Sequence, residues 1–90
     1  MDTNEILNER GKRYGKYIEQ CEISRELRET INKAIGARAL ELAADQEDAL
    51  MMICVKISRI LNGDPNYVDN WADICGYSQL VVDRLNGNTR

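Results

Sequence analysis

Ninety residues make one domain, near the lower end of what buries a self-sufficient core. The formal net charge of −3 argues against non-specific binding to nucleic acid. With no histidine, and Cys21, Cys54 and Cys75 far apart, zinc is disfavoured and the cysteines read as buried, reduced thiols of a cytosolic protein. The chain is charged from Asp2 onward, so a secretory segment is not expected. No apolar run approaches the roughly 18 residues that a membrane helix needs.

The hydrophobic pattern is helical throughout, which predicts an all-α bundle of about four helices with no internal repeat. A first helix is expected over 2–10, with Asp2 and Glu5 at N-cap and N3 spacing and Gly11 as its stop. The basic stretch RGKRYGK follows as a loop, with four cations in seven residues. A second helix is expected over 17–35, with Ile18, Cys21, Ile23, Leu27, Ile31, Ala34 and Ile35 on its apolar face and Gly36 as its stop. Residues 37–44 fit either a helix or a loop.

The third helix is expected over 45–62, capped by Asp45, ended by Gly63 and apolar on nearly every side. Pro65 cannot continue it, and Asn66 is placed to cap a fourth helix over 67–85. The turn Gly63-Asp64-Pro65 thus makes a central hairpin. Ile53, Ile57, Ile60, Trp71, Ile74 and Leu85 are its expected core. Gly76 falls mid-helix, where close backbone approach would explain it. Apolar residues on more than one face of these helices, in so short a chain, predict a homo-oligomer, most simply a symmetric dimer.

Three groups of residues could carry chemistry. Asp69 and Asp73 lie one turn apart on one side of the fourth helix, either as magnesium ligands or as partners of facing cations. Lys56 interrupts an apolar helix and Arg59 follows one turn later, a pair suited to phosphate or to those same carboxylates. In RGKRYGK, glycines let backbone amides approach an anion, and Tyr14 or Tyr17 can stack on a base; a solvated basic turn fits equally. It is not a Walker loop, since no GKS or GKT ends it. Tyr67, Trp71 and Tyr77 read as core or interface aromatics before base platforms. No histidine is present to activate a serine or cysteine.

The segments ILNERGKRYG and KISRILNGDPNYVDNWADICGYSQLVVDRL resemble a family of small phage and prophage proteins over about half the chain. That pattern is in turn similar to a reduced form of the MazG-like all-α nucleoside triphosphate pyrophosphohydrolases. Those enzymes hold magnesium with an ExxE pair and a later ExxD pair. Here the third helix carries no ExxE pair, with Glu47 and Asp48 at its start and Lys56 and Arg59 deeper in, and Asp69 and Asp73 are spaced i, i+4. The histidine that phage relatives often carry near Cys21 is also absent.

The resemblance therefore implies a protein of the host cytoplasm that captures a nucleotide or cyclic-nucleotide signal to counter host defence. Arg13, Tyr14, Lys56, Arg59, Asp69, Asp73 and Tyr77 are the expected ligand-binding residues. No cofactor is required on that reading. The alternatives are a pyrophosphohydrolase with magnesium on Asp69 and Asp73, and a protein inhibitor of a host defence complex.

Overall fold

A computed structural model describes residues 2–88 of the chain. Four helices follow in order: α1 Thr3–Tyr14, α2 Tyr17–Ala37, α3 Ala44–Asn62 and α4 Val68–Leu85, and the described residues include no strand. None of these helices is long and apolar enough to cross a membrane. The fold is the expected all-α bundle with its hairpin at the Gly63-Asp64-Pro65 turn.

Asp2 opens α1 by accepting the Glu5 N–H at 2.9 Å, as the spacing implied. The helix then runs through Gly11, which was expected to stop it. One interior glycine costs only about 1 kcal/mol, and Asp2 and the later residues outweigh it. Gly15 ends α1 with φ of 75°, a left-handed conformation that glycine adopts without strain. Gly36 likewise sits inside α2 and not beyond it.

The other caps also differ from expectation. Ala43 precedes α3, and its N–H donates to Gln46 Oε1 at 2.9 Å. Asp45 lies within the first turn and is drawn across to α4, where Arg84 grips it through Nε at 2.9 Å and an Nη at 2.7 Å. Tyr67 precedes α4, while Asn66 donates its N–H to Asp64 Oδ1 at 2.9 Å to shape the turn.

Helix α3 is central. Helices α2 and α4 pack antiparallel on its two sides and make no contact with each other, and α1 sits at the corner of α2 and α3. The result is an all-α bundle built on α3, with α1 at one end. Its radius of gyration is 15.1 Å, against about 12 Å for a compact chain of this length.

The interior departs most from the expected core. The buried apolar residues are Ala49 and Cys54, and the buried polar ones are Gln20, Ser24, Lys56, Ser58, Asn70 and Asp83. Ile53, Ile57, Ile60 and Ile74 are half-buried, whereas Trp71 and Leu85 are 52% and 61% exposed. Cys54 is buried, Cys21 half-buried and Cys75 exposed, so Cys75 is not the interior thiol that its helical pattern suggested. The periodicity identified the apolar side of α4 correctly but not which way that side faces. Gly76 meets no other backbone, and nothing within the protomer explains its position.

Candidate functional site

The two motifs that stand furthest apart in sequence, RYG and NGD, interlock at one end of the molecule. Asn62 closes α3 and donates from Nδ2 to the Tyr14 carbonyl at 2.8 Å and the Lys16 carbonyl at 3.0 Å. The Asp64 N–H donates to the Arg13 carbonyl at 2.7 Å. A Cβ on Gly63 would overlap the Arg13 carbonyl and Tyr14 Cα, and one on Gly15 would overlap the Asn62 carbonyl. These glycines are required for backbone to meet backbone. The α1–α2 elbow is thereby held against the end of α3.

A ladder of alternating cations and rings sits on this joint. The Arg59 guanidinium lies 4.4 Å from the Tyr14 ring centroid, and that of Arg13 lies 4.2 Å from the Tyr67 centroid. The two rings meet edge to face at 6.2 Å. Arg13 is also paired with Glu9 at 2.7 Å, and the Tyr67 hydroxyl donates to Asp69 Oδ2 at 2.6 Å. The Asp69 acceptor is the main reason the Tyr67 hydroxyl is held above its ordinary range.

Beside the ladder opens a cleft of about 620 Å³, lined by Leu7, Arg10, Gly11, Tyr14, Gly15, Lys16, Tyr17, Gln20 and Arg59. That volume lies within the usual range of small-molecule sites, about 300–1,000 Å³. Three cations and no carboxylate line it. Gln20 is 6% exposed, and its side chain makes no hydrogen bond to the described residues. Arg59 Nε is buried without an acceptor. Lys16 precedes α2 and offers no side-chain cap, so the positive end of that helix also borders the cleft. Tyr17 is 77% exposed. The neighbouring Cys21 thiol pushes its hydroxyl above the ordinary range, which keeps the phenol neutral.

The expected site residues divide into separate groups. Arg13, Tyr14 and Arg59 meet in the ladder, but only Tyr14 and Arg59 border the cleft. Lys56 is 9% exposed and its Nζ lies 2.9 Å from Asp73 Oδ2, so this cation is answered within the protein. Tyr77 lines one groove along α4 with Asp73 and a second groove between α3 and α4. Asp69 and Asp73 do not fit a magnesium site as arranged. One accepts from Tyr67, the other holds Lys56, and no three acidic or thiol groups converge among the described residues.

Tyr17 was visible as a candidate base platform, but Arg10 and Lys16 were not singled out within the basic stretch, because the elbow decides which of those side chains share a face. Gln20 was missed altogether. Its one signal was a polar pair, Gln20 and Ser24, one turn apart where α2 meets α3.

A family description matches residues 2–84, nearly the whole chain including both halves of the interlocked joint. The chain belongs to the family DUF6378, a domain of unknown function. No curated protein and no solved structure matches it.

Proposed function

We propose that this DUF6378 protein binds a phosphate-bearing nucleotide in the elbow cleft and holds it without turning it over. The observation that carries this is the uncompensated positive lining: Arg10, Lys16 and Arg59 face one cleft that no carboxylate shares. Cations, the α2 N-terminus and an unpaired amide are what a phosphate oxygen needs. The exposed Tyr17 ring offers a base a stacking face, while the Tyr14 ring is already engaged by Arg59.

Retention without turnover follows from the same lining. The cleft holds no carboxylate to bind a metal or to take a proton, and the Tyr17 phenol stays protonated. The resemblance to phage proteins supplies a setting: a captured nucleotide or cyclic-nucleotide signal would be withdrawn from a host defence response in the host cytoplasm.

Calorimetric titration of mono-, di- and cyclic nucleotides, with and without magnesium, tests this. Binding is expected without magnesium. Arg59→Met should weaken it about 10- to 100-fold, as loss of charge-assisted hydrogen bonds predicts. Lys56→Met should leave it unchanged. Binding of no nucleotide would overturn the proposal. Magnesium-dependent release of pyrophosphate that Asp73→Asn abolishes would establish an enzyme in its place.

A further inference from the structure

Helix α4 leaves an apolar side uncovered. The side that packs on α3 carries Asn70, Asp73, Tyr77 and Arg84, of which Asn70 is 1% exposed and two form ion pairs with α3. The adjoining side carries Val68, Trp71, Cys75, Ser78, Val82 and Leu85, and all six are exposed, with Ser78 also bordering a groove beside Ala49, Leu50 and Ile53 of α3. Their spacing alternates three and four residues without a break, the repeat of a coiled-coil seam. The flanking positions Ala72, Ile74, Gln79 and Val81 carry no charge. Every charged residue of α4, Asp69, Asp73, Asp83 and Arg84, lies off the seam.

The seam is also symmetric about its own centre. Reversed, it places Val68 opposite Leu85, Trp71 opposite Val82, and Cys75 opposite Ser78. Large residues stand at the ends and small ones in the middle. A helix with that order matches an antiparallel copy of itself across a two-fold axis.

The molecule's surface calls for such a cover. The protomer exposes 6601 Å², against about 5,400 Å² for a folded monomer of its mass. The excess of roughly 1,200 Å² exceeds the roughly 800 Å² that each partner buries in a standard stable interface.

We infer that the chain forms a symmetric homodimer in which α4 pairs antiparallel with α4 of a second copy, along the seam from Val68 to Leu85. The two-fold axis passes between Cys75 and Ser78. With a rise of 1.5 Å per residue, a Cα radius of about 2.3 Å and helix axes 8–10 Å apart, the two Cys75 Cα atoms stand about 6–8 Å from one another. No seam residue lines the elbow cleft, so the inference does not rest on nucleotide binding.

The test uses the native chain. Light scattering at tens of micromolar should give a dimer. A short bismaleimide should then link Cys75 to Cys75 of the second copy, identified by mass spectrometry of the joined peptides; Cys54 is buried and should not react. Val82→Glu and Leu85→Glu alter residues that the protomer leaves exposed. Both variants should become monomeric with helical circular dichroism retained, and Trp71 emission should shift to the red. A monomeric wild-type chain would overturn the inference. So would a dimer that links only through Cys21, or one that both glutamate variants leave intact. If the glutamate variants lose helicity, the Cys75 cross-link in the wild-type chain decides the matter by its presence or absence.

Discussion

The elbow end of the molecule and helix α4 close in opposite ways. At the elbow, α1 and α2 are fixed to the end of α3 by backbone carbonyls, one asparagine amide and two glycines, with few apolar side chains involved. Helix α4 docks on α3 through ion pairs, a buried asparagine and the half-buried Ile74 and Val81, and leaves Val68, Trp71, Val82 and Leu85 exposed. One joint is complete within a single chain. The other satisfies its charges inside and leaves its hydrophobic area for something else to cover. Burial within a protomer is therefore a poor guide to which residues of this chain belong to a core.

The sharpest way to break the comparison is at the elbow. Gly63→Ala forces a methyl group into the Arg13 carbonyl and Tyr14 Cα, neither of which can move without pulling α1 off α3. Overpacking against backbone should cost more than about 3 kcal/mol. Urea denaturation should show a much lower midpoint or no cooperative transition. A wild-type midpoint would mean that the joint is looser than its geometry.

On the α4 side the largest effect belongs to the Lys56–Asp73 pair. Asp73→Ala leaves an ammonium that is 9% exposed without its partner. Because the Asp73 side chain is itself 49% exposed, solvent screens part of the loss, and the expected cost is about 1–3 kcal/mol. Adding Lys56→Met should recover most of it, since the charge then disappears along with its partner. A double variant no better than Asp73→Ala would show that the pair is not what seats α4.

A gentler test uses pH. The Arg84 hydrogen bonds hold the Asp45 carboxyl below its ordinary value of 3.8. A carboxyl depressed on folding stabilises fully above its unfolded value, and that contribution fades as pH falls through the lower folded value. Chemical denaturation between about pH 5 and pH 2 should thus show stability falling, with part of the slope absent in Asp45→Asn. Equal slopes would separate α4 docking from this pair.

The helices were legible in the sequence because a 3.6-residue period survives whatever the apolar side faces. The hairpin turn was legible because Gly63 and Pro65 allow little else. Facing was not legible: Trp71, Val82 and Leu85 give the same period whether they point into the protomer or at a second one. The motifs RYG and NGD stood out, but as a candidate phosphate loop and a turn. Only the fold shows that they are two halves of one backbone joint. Lys56 and Asp73 were visible as a candidate pair, and Arg59 as a cation for phosphate. The cleft itself was not, since Arg10, Lys16, Tyr17 and Gln20 share a wall only once Gly15 has turned the chain.

The smallest expected effect separates the two kinds of glycine in this chain. Gly76 lies in the middle of α4, with nothing within 4 Å of the place a methyl group would take, and it sits off the Val68–Leu85 seam. Its conformational freedom therefore serves neither the protomer nor the inferred pairing. Gly76→Ala should raise stability by about 0.5–1 kcal/mol, because alanine loses less backbone entropy on entering a helix. The same substitution at Gly63 acts in the opposite direction and is several times larger. Measured together by urea denaturation, the two should bracket the wild type. If Gly76→Ala proves destabilising, some backbone or ligand approaches α4 on the side of Ala72 and Leu80, and that side then joins the seam as a surface the protomer alone does not explain.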